Sequence, residues 1–443
     1  MAGVAAVRNF EHNNRVKAGG MGFFWLSAFY VVYCARPEDF VPALSALHLA
    51  KVAGIGAFLA FLSGAGKGKR KFSDLPAESY YLLAMIAILM VSSIVSPVWR
   101  GGAVSFTLDF SKVYIIWVLT FLLVTDLAKF RRIVYIQAAA VPVICLLSII
   151  KGQGRSRLDS VLGGIYSNPN DLAFAIVLSL PFCLMFLLTA RSKLRKTLWA
   201  AGMLIMAKAL FMTASRGGFI TLAVAGTVCL WHFGIKGKRL YLIAVSGLVL
   251  MVLFATTGGT LKDRFSSLWS DRSSLDTGDE KRAFDSYEQR QFLMKRAVEG
   301  IAHYPILGMG TRNFQTYSTV WREVHMTYLQ IAVEGGIPSL ILFLLFFSRG
   351  FRNLRLLRKR KDLDPDVKLF SGALHSSLVG FVVGALFSPE AYEFFPFFAV
   401  AYTSALLAYV RENESTVTSE PQPPVPAVAV GGYARAARVP VNT

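Results

Sequence analysis

Long apolar runs alternate with short polar connections along most of this chain. A helix needs about 20 apolar residues to cross the hydrocarbon core of a bilayer, and runs close to that length recur twelve times. They lie near residues 20–35, 43–63, 79–97, 111–126, 133–150, 171–190, 197–213, 217–234, 239–257, 326–348, 369–388 and 393–410. The pattern predicts an all-α polytopic membrane protein with about twelve transmembrane helices.

The positions of these runs divide the chain into four parts. Residues 1–257 and 326–410 are predicted to form the N-terminal and C-terminal transmembrane helices. Residues 258–325 are the one long polar segment between two runs, and we expect them to form a loop subdomain carrying short helices. Residues 411–443 contain a Pro-rich stretch without a helical period, so the sequence predicts a disordered cytoplasmic tail there.

Basic residues collect in every second connection between the apolar runs. Because short cytoplasmic connections gather Lys and Arg, this alternation predicts cytoplasmic termini and an outward position for the 258–325 loop. The chain is 54% hydrophobic, and its formal net charge of +20 comes mostly from these connections. A basic membrane face accounts for that charge, so nucleic-acid binding is not predicted.

A polar turn precedes the apolar run near 171–190, in a connection predicted to face outward. Its sequence, Asn168-Pro169-Asn170-Asp171, is typical of a turn whose Asn or Asp side chain caps the next helix. A second interpretation is that Asn168 and Asn170 form a polar wall of a head-group site. The sequence leaves both interpretations open.

Another outward connection, Ser215-Arg216-Gly217-Gly218, holds an arginine close to the membrane. A charge near hydrocarbon is costly without a partner, and the planar guanidinium suits phosphate oxygens. An anionic ligand at Arg216 is therefore one interpretation. Contact with the phosphates of surrounding lipids is the other.

The 258–325 loop ends in several candidate functional residues. Residues 287–301 predict an amphipathic helix that caps the membrane. Its apolar positions are Phe292, Leu293, Ala297, Val298 and Ile301. The loop closes with His325 at the mouth of the next apolar run, where a histidine can act as a base at neutral pH. Glu334, about two and a half turns further on, is predicted to pair within the bundle.

Four short motifs follow one another in this part of the chain. They are Ser-Arg-Gly-Gly at 215–218, Arg290 opening the outer helix, Pro-Ile-Leu-Gly-Met-Gly at 305–310 followed by Asn313, and the His325-led helix with Glu-Gly-Gly-Ile-Pro at 334–338. Together they resemble the O-antigen ligase and O-antigen polymerase superfamily of bacterial membrane glycosyltransferases. The resemblance is close over roughly residues 160–350.

The resemblance implies a GT-C-like glycosyltransferase of the bacterial inner membrane with a periplasmic active site. Members of the superfamily transfer a glycan from undecaprenyl diphosphate, with inversion and without a metal. By this resemblance Arg216 and Arg290 hold the donor diphosphate, and His325 is the general base. Met326 stands where the superfamily commonly has Asn. A contact that this Asn makes with the acceptor or with a neighbouring residue is therefore missing here, but His325 is still present as the base.

Further substrate contacts are predicted at polar residues of the same outward connections, namely Asn168, Asn170, Arg312 and Asn313. No metal or other cofactor is predicted, because two fixed guanidinium groups can stabilise a departing diphosphate by themselves. The other histidines share no zinc-ligand spacing. They are His12, His48, His232, His303 and His375.

Several functions are compatible with these features. A ligase to the lipid A core of lipopolysaccharide, a polymerase of repeat units and a ligase to protein hydroxyl groups differ only in their acceptor. A transporter of lipid-linked sugars predicts inverted repeats and mid-membrane charges, and neither stands out in the sequence. The expected partners are therefore a lipid-linked glycan donor, a lipid A core or glycan acceptor, and membrane lipids.

Glu390 and Glu393, in the last outward connection, allow two interpretations. They either line the path of the acceptor or simply flank a membrane-spanning helix.

Overall fold

The computed structural model describes residues 20–64, 70–152, 158, 166, 168–257, 278–360 and 362–419. All regular secondary structure in these residues is helical, which confirms the predicted fold class. The helices are α1 (Met21–Ala35), α2 (Pro37–Phe40), α3 (Pro42–Ser45), α4 (Leu49–Leu62), α5 (Ala77–Ile94), α6 (Arg100–Leu123), α7 (Leu127–Lys151), α8 (Pro169–Thr189), α9 (Lys193–Thr213), α10 (Arg216–Leu230), α11 (Tyr241–Thr257), α12 (Gly278–His303), α13 (Phe314–Tyr317), α14 (Thr327–Arg358), α15 (Pro365–Gly384) and α16 (Phe394–Ser419).

Helices stand at all twelve positions where apolar runs predict them. In the part of the chain that the structure describes, nine helices are long and apolar enough to cross a membrane. Two of the other runs form shorter apolar helices, α1 and Tyr241–Thr256. The run near 197–213 forms α9, whose first turn is polar because it carries Lys193, Arg195 and Lys196. The chain is thus a multi-pass membrane protein.

Apolar side chains both fill the bundle and cover its outside. Inside, Phe347 of α14 packs against Phe381 of α15 and Phe397 of α16, with the first two ring centroids 4.5 Å apart. Outside, Ile55 of α4 and Met251 of α11 are 59% and 63% exposed. Apolar surfaces of this extent are uncommon on soluble monomers and are expected where lipid covers them.

The connections between helices meet at two ends of the bundle. At one end, here called the basic end, Arg70 contacts Glu412 at 2.6 Å and Arg131 contacts Asp366 at 2.7 Å. The other end is called the histidine end, because His325 lies there. It comprises the connections 95–99, 214–215, 304–326 and 385–393. That the basic end faces the cytoplasm stays a prediction from the charge pattern.

The last helix is longer than the sequence predicts. Residues 411–419 continue α16 and are helical, so they do not belong to a disordered tail. A contact at the basic end explains the extension, because the buried guanidinium of Arg70 donates to the Glu412 carboxylate at 2.6 Å. Residues 420–443, the rest of the predicted tail, lie outside the described residues.

The loop subdomain contains one long helix, α12 (Gly278–His303). Leu293 and Ala297 are buried against α14, and Ile301 packs beside them. Phe292 and Val298, the other two apolar positions, are 43% and 57% exposed and do not join this packing, so the prediction that the helix caps the membrane stays a prediction. At about 100° per residue, Phe292 lies about 140° and Val298 about 100° around the helix from Ala297, the middle residue of the 293–297–301 line. The preceding residues, 258–277, lie outside the described part of the chain.

Candidate functional site

A break in α14 shapes the histidine end. Gly336 has φ 77° and ψ 172°, which interrupts the helix after its first turns. The break frees the carbonyls of Val333 and Glu334, which accept hydrogen bonds from the backbone N–H groups of Met309 (3.0 Å) and Gly310 (2.9 Å). Unpaired backbone groups are costly inside a membrane. The loop that precedes α13 therefore docks into the break and replaces the missing helical bonds.

Asn313 fastens this docked loop to the start of α6. Its amide donates to the Ser96 hydroxyl at 2.7 Å and to the Met309 carbonyl at 2.9 Å, and the residue is 1% exposed. The nearby Thr311 hydroxyl donates to the Ala103 carbonyl at 2.8 Å. Because the Asn313 donors are used inside the fold, this residue positions the loop, and a contact of Asn313 with substrate stays a prediction.

We expect Gly336→Ala to destabilise the protein by about 2–5 kcal/mol through strain and overpacking. An L-residue rarely adopts this backbone conformation, and an added Cβ would lie 2.1 Å from the Ile306 carbonyl oxygen. Thermal unfolding of the purified protein in detergent measures the effect. Gly226→Ala in α10 is the matched control, since its Cβ would meet nothing within 4 Å. Equal melting temperatures for the two variants would contradict the structural role of the break.

The position of His325 is set by the start of α14, which is hydrogen-bonded to the turn between α15 and α16. Thr327 donates its backbone N–H to the Ala385 carbonyl at 2.8 Å and its hydroxyl to the Ser388 carbonyl at 2.7 Å. The same hydroxyl accepts from the backbone N–H of Glu390 at 3.0 Å. Three hydrogen bonds thus fix the helix two residues after the histidine.

The same turn also contacts the segment that carries Arg216. Gly217 packs so closely against Phe387 that an added Cβ would lie 2.7 Å from the Phe387 Cβ. Ser215 caps α10 by accepting from Gly218, and its hydroxyl donates to the Asn170 side-chain oxygen at 2.8 Å. The turn between α15 and α16 therefore sets the spacing between the arginine and the histidine.

Asn168 caps α8, which confirms the capped-turn interpretation. Its side-chain oxygen accepts from the backbone N–H of Asn170 at 2.7 Å, and its amide donates to Asp171 at 2.7 Å. Both asparagines are half-buried. A contact of Asn168 or Asn170 with substrate stays a prediction.

Arg290 reaches the site from the loop subdomain. It lies on the packed face of α12, one turn before Leu293 and two turns before Ala297, so the helical period turns its side chain towards the bundle. The Arg290 guanidinium is close enough to Arg216 for the two charges to interact. The phenol of Tyr287, one turn earlier on α12, also lies close enough to act on Arg216. The fold therefore brings together two arginines that are distant in the sequence.

His325 lies in the field of the same arginine. Burial, together with the charges of Arg290 and Arg322, lowers the pKa of His325 to about 4. The ring is therefore neutral at pH 7. Its Nδ1 is buried and makes no hydrogen bond within the described part of the chain, so no protein carboxylate orients the ring there.

Sequence reasoning missed Glu323, two residues before the histidine. Its carboxylate accepts from the Gln315 amide at 2.7 Å and lies 3.7 Å from Arg312. Burial raises the pKa of Glu323, and Arg312 partly offsets this. The Arg312 guanidinium also lies 4.2 Å from the centre of the Phe106 ring. Arg312 is thus held beside a carboxylate, and its contact with substrate stays a prediction.

Two more carboxyl groups lie in the turn between α15 and α16. Glu390 and Glu393 line a cavity of about 20 Å³ together with Asp171, which is room for about one water molecule. Burial, together with the charge of Asp171, raises the pKa of Glu390 well above its usual value and that of Glu393 to about 7. Sequence reasoning named both glutamates but had no signal that Asp171 joins them.

Glu334 is fully buried beneath the docked loop. The Tyr392 hydroxyl donates to its carboxylate at 2.6 Å. The Ser92 hydroxyl donates to its backbone carbonyl at 2.8 Å. The predicted pairing of Glu334 within the bundle is confirmed as a hydrogen bond, and the partner lies in the turn before α16.

The fold also pairs two histidines that show no common spacing in the sequence. His232 and His375 face each other near the basic end, with Nε2 and Nδ1 3.0 Å apart. Among the described residues, no group of three His, Cys, Asp or Glu side chains is arranged to hold a metal ion. Independence from a metal stays a prediction.

The arrangement at the histidine end combines two guanidinium groups with a neutral imidazole. Arg216 and Arg290 supply two guanidinium groups, and a neutral histidine lies next to the second of them. Such a set can neutralise charge on a phosphate-bearing leaving group while the histidine accepts a proton. Fold and site together describe a multi-pass membrane protein with a cluster of polar and charged side chains at one end.

Comparison with known proteins agrees with this description. Residues 201–344 match the family model of the O-antigen ligases (Wzy_C), a segment that includes Arg216, Arg290 and His325. The match confirms the resemblance over the part of the chain that carries the site. No curated protein matches the chain.

Proposed function

We propose that this protein is an O-antigen ligase that transfers a glycan from undecaprenyl diphosphate to a hydroxyl group of the lipid A core, on the periplasmic face of the inner membrane. The observation that carries the proposal is the meeting of Arg216, Arg290 and His325 at one end of the bundle. The family match over the same residues supports it.

The proposed reaction is a single displacement with inversion. The acceptor hydroxyl oxygen attacks the anomeric carbon of the glycan, and its proton passes to a ring nitrogen of His325. The bond between that carbon and the diphosphate oxygen breaks, and the diphosphate leaves with the electron pair. The low pKa of His325 keeps the ring neutral at pH 7, so one ring nitrogen has a lone pair to which the proton can bind.

The two arginines act on the leaving group in this proposal. Negative charge grows on the diphosphate as the bond breaks, and guanidinium groups already in place stabilise it without reorganisation. Arg216 is fixed by the capped start of α10, and Arg290 by the packed face of α12. Both positions are set by backbone elements before substrate binds.

Two related acceptors are compatible with the same site. A polymerase would present a second lipid-linked repeat unit, and a protein ligase would present a side-chain hydroxyl. In each case the donor, the arginines and the base keep their roles. Met326, where the superfamily commonly has Asn, lies directly beside the base and so is a position where acceptor contacts differ.

Deletion of the gene in its host distinguishes these reactions. We expect long lipid-linked glycan chains to accumulate while the finished surface polysaccharide is lost, because polymerisation continues without the final transfer. Accumulation of single lipid-linked repeat units would instead indicate a polymerase. Unchanged surface polysaccharide, with an altered glycoprotein profile, would indicate transfer to protein. Complementation with the intact gene is the control.

A further inference from the structure

The basic end of the bundle contains a cavity that the proposed transfer reaction does not use. Its volume is about 370 Å³, within the range of roughly 300–1,000 Å³ typical of small-molecule sites. It lies between the connection that precedes α5, the end of α6 and the C-terminal halves of α14 and α16. The charged residues in its wall are Arg70, Asp74, Glu78, Arg349, Arg352, Arg411 and Glu412.

The deepest arginine of the cavity is part of the fold. Arg70 is 3% exposed and donates to the carbonyls of Phe121 at 2.7 Å, Val124 at 3.0 Å and Ala405 at 3.2 Å. Its charge is balanced by Glu412 at 2.6 Å. The floor of the cavity is therefore rigid and electrically neutral.

The buried acid of the cavity is also satisfied. Glu78 is 1% exposed and accepts from the Asn353 amide at 2.7 Å and the Ser404 hydroxyl at 2.5 Å. Arg349 lies 3.4 Å from its second oxygen and balances its charge. The inner charges thus form two closed pairs, and neither pair needs a ligand.

Two guanidinium groups at the rim remain. Arg352 and Arg411 are exposed, and both line the cavity without an ion pair in the described part of the structure. The one other rim charge is the carboxylate of Asp74, which accepts from the backbone N–H of Lys71 at 2.7 Å. Two positive charges thus stand against one negative charge at the rim. The mouth of the cavity is therefore cationic.

We propose that this cavity binds a phosphate-bearing anion, held between Arg352 and Arg411. Guanidinium groups match phosphate oxygens in geometry and charge. The end of the bundle at which the cavity opens is the one where the basic connections collect, and anionic lipid head groups concentrate at such a face. The same chemistry is offered by a lipid head group and by a soluble phosphate.

The proposal is tested by adding increasing amounts of a probe to the purified full-length protein in detergent. Binding of the probe is measured as the rise in the thermal unfolding temperature. The probes are phosphatidylglycerol, phosphatidylcholine with the same acyl chains, and inorganic phosphate. We expect an anionic probe to bind about five- to tenfold more tightly than phosphatidylcholine, as two charge-assisted contacts allow. Preference for phosphatidylglycerol alone identifies a lipid head group, whereas stabilisation by inorganic phosphate identifies a soluble ligand.

Variants decide whether the cavity is responsible. The double variant Arg352→Gln and Arg411→Gln should abolish the preference, because both exposed guanidinium groups are gone. Arg355→Gln, an exposed arginine of α14 outside the cavity wall, is the matched control and should keep it. Equal binding of all three probes, or an unchanged preference in the double variant with the fold intact by circular dichroism, overturns the proposal. The double variant Arg352→Lys and Arg411→Lys should keep part of the preference for the anionic probe, since both positive charges remain.

Discussion

Replacing His325 with alanine is expected to lower the rate of glycan transfer by about 10²–10⁴-fold, the usual contribution of a general base. Donor binding should be nearly unchanged, because the arginines remain. The measurement is transfer from a lipid-linked donor by the reconstituted protein, with turnover and donor affinity determined separately. A collapse of donor affinity with intact turnover would show that His325 is not the base.

His303→Ala is the matched control for this variant. His303 belongs to the same subdomain, but it is exposed, and its ring nitrogen is hydrogen-bonded to the Glu299 carbonyl of its own helix at 2.8 Å. Its loss should leave transfer unchanged. Equal losses from both variants would indicate a general effect on the subdomain rather than the removal of a base.

The pH dependence of transfer gives a second test of the base. Since burial and Arg290 lower the pKa of His325 to about 4, the ring stays neutral as the pH falls through 6.5, where an ordinary histidine becomes protonated. Transfer should therefore decline only as the pH approaches about 4. In Arg290→Gln one of the charges that lowers this pKa is absent, so the decline of the residual activity should begin at higher pH.

Replacing Arg216 or Arg290 with glutamine is expected to reduce transfer by about 10²–10³-fold each, the usual effect of removing one group that stabilises developing negative charge. Both variants should remain folded in the membrane, because neither residue belongs to the buried core. Lysine at either position should restore part of the activity, since the charge returns without the planar fork. Transfer assays on purified variants give the comparison.

Lys295→Gln is the matched control for the Arg290 variant. Lys295 lies on α12 about one and a half turns further along and is exposed, so its charge points away from the site. The Lys295→Gln substitution should leave the rate of transfer unchanged. Normal activity in Arg216→Gln or Arg290→Gln would remove that residue from the proposed diphosphate site.

The relation between the two arginines and the base explains why the effects should not simply add. Arg290 acts on both Arg216 and His325, so its removal alters the anion site and the proton acceptor together. The Arg216 and Arg290 double variant should therefore lose less than the product of the single losses, as is usual for groups that act as a unit.

The sequence by itself determined the elements of this protein. Apolar runs of membrane-spanning length can satisfy their backbone groups only as helices, so their number and order follow from hydropathy. The capping turn at Asn168 and the direction of Arg290 on its helix also follow from local rules, since capping and helical period depend on near neighbours. Four short motifs in order were enough to indicate the family.

Only the tertiary structure decided which polar residues meet. Asn313 has the sequence of an exposed loop residue, yet it is buried because the loop docks into the break at Gly336 and needs its amide there. The carboxyl groups of Asp171, Glu390 and Glu393 come from the first turn of α8 and from the distant turn between α15 and α16, and no spacing relates them. Helix packing sets these contacts, and packing depends on many apolar contacts at once that no local pattern records.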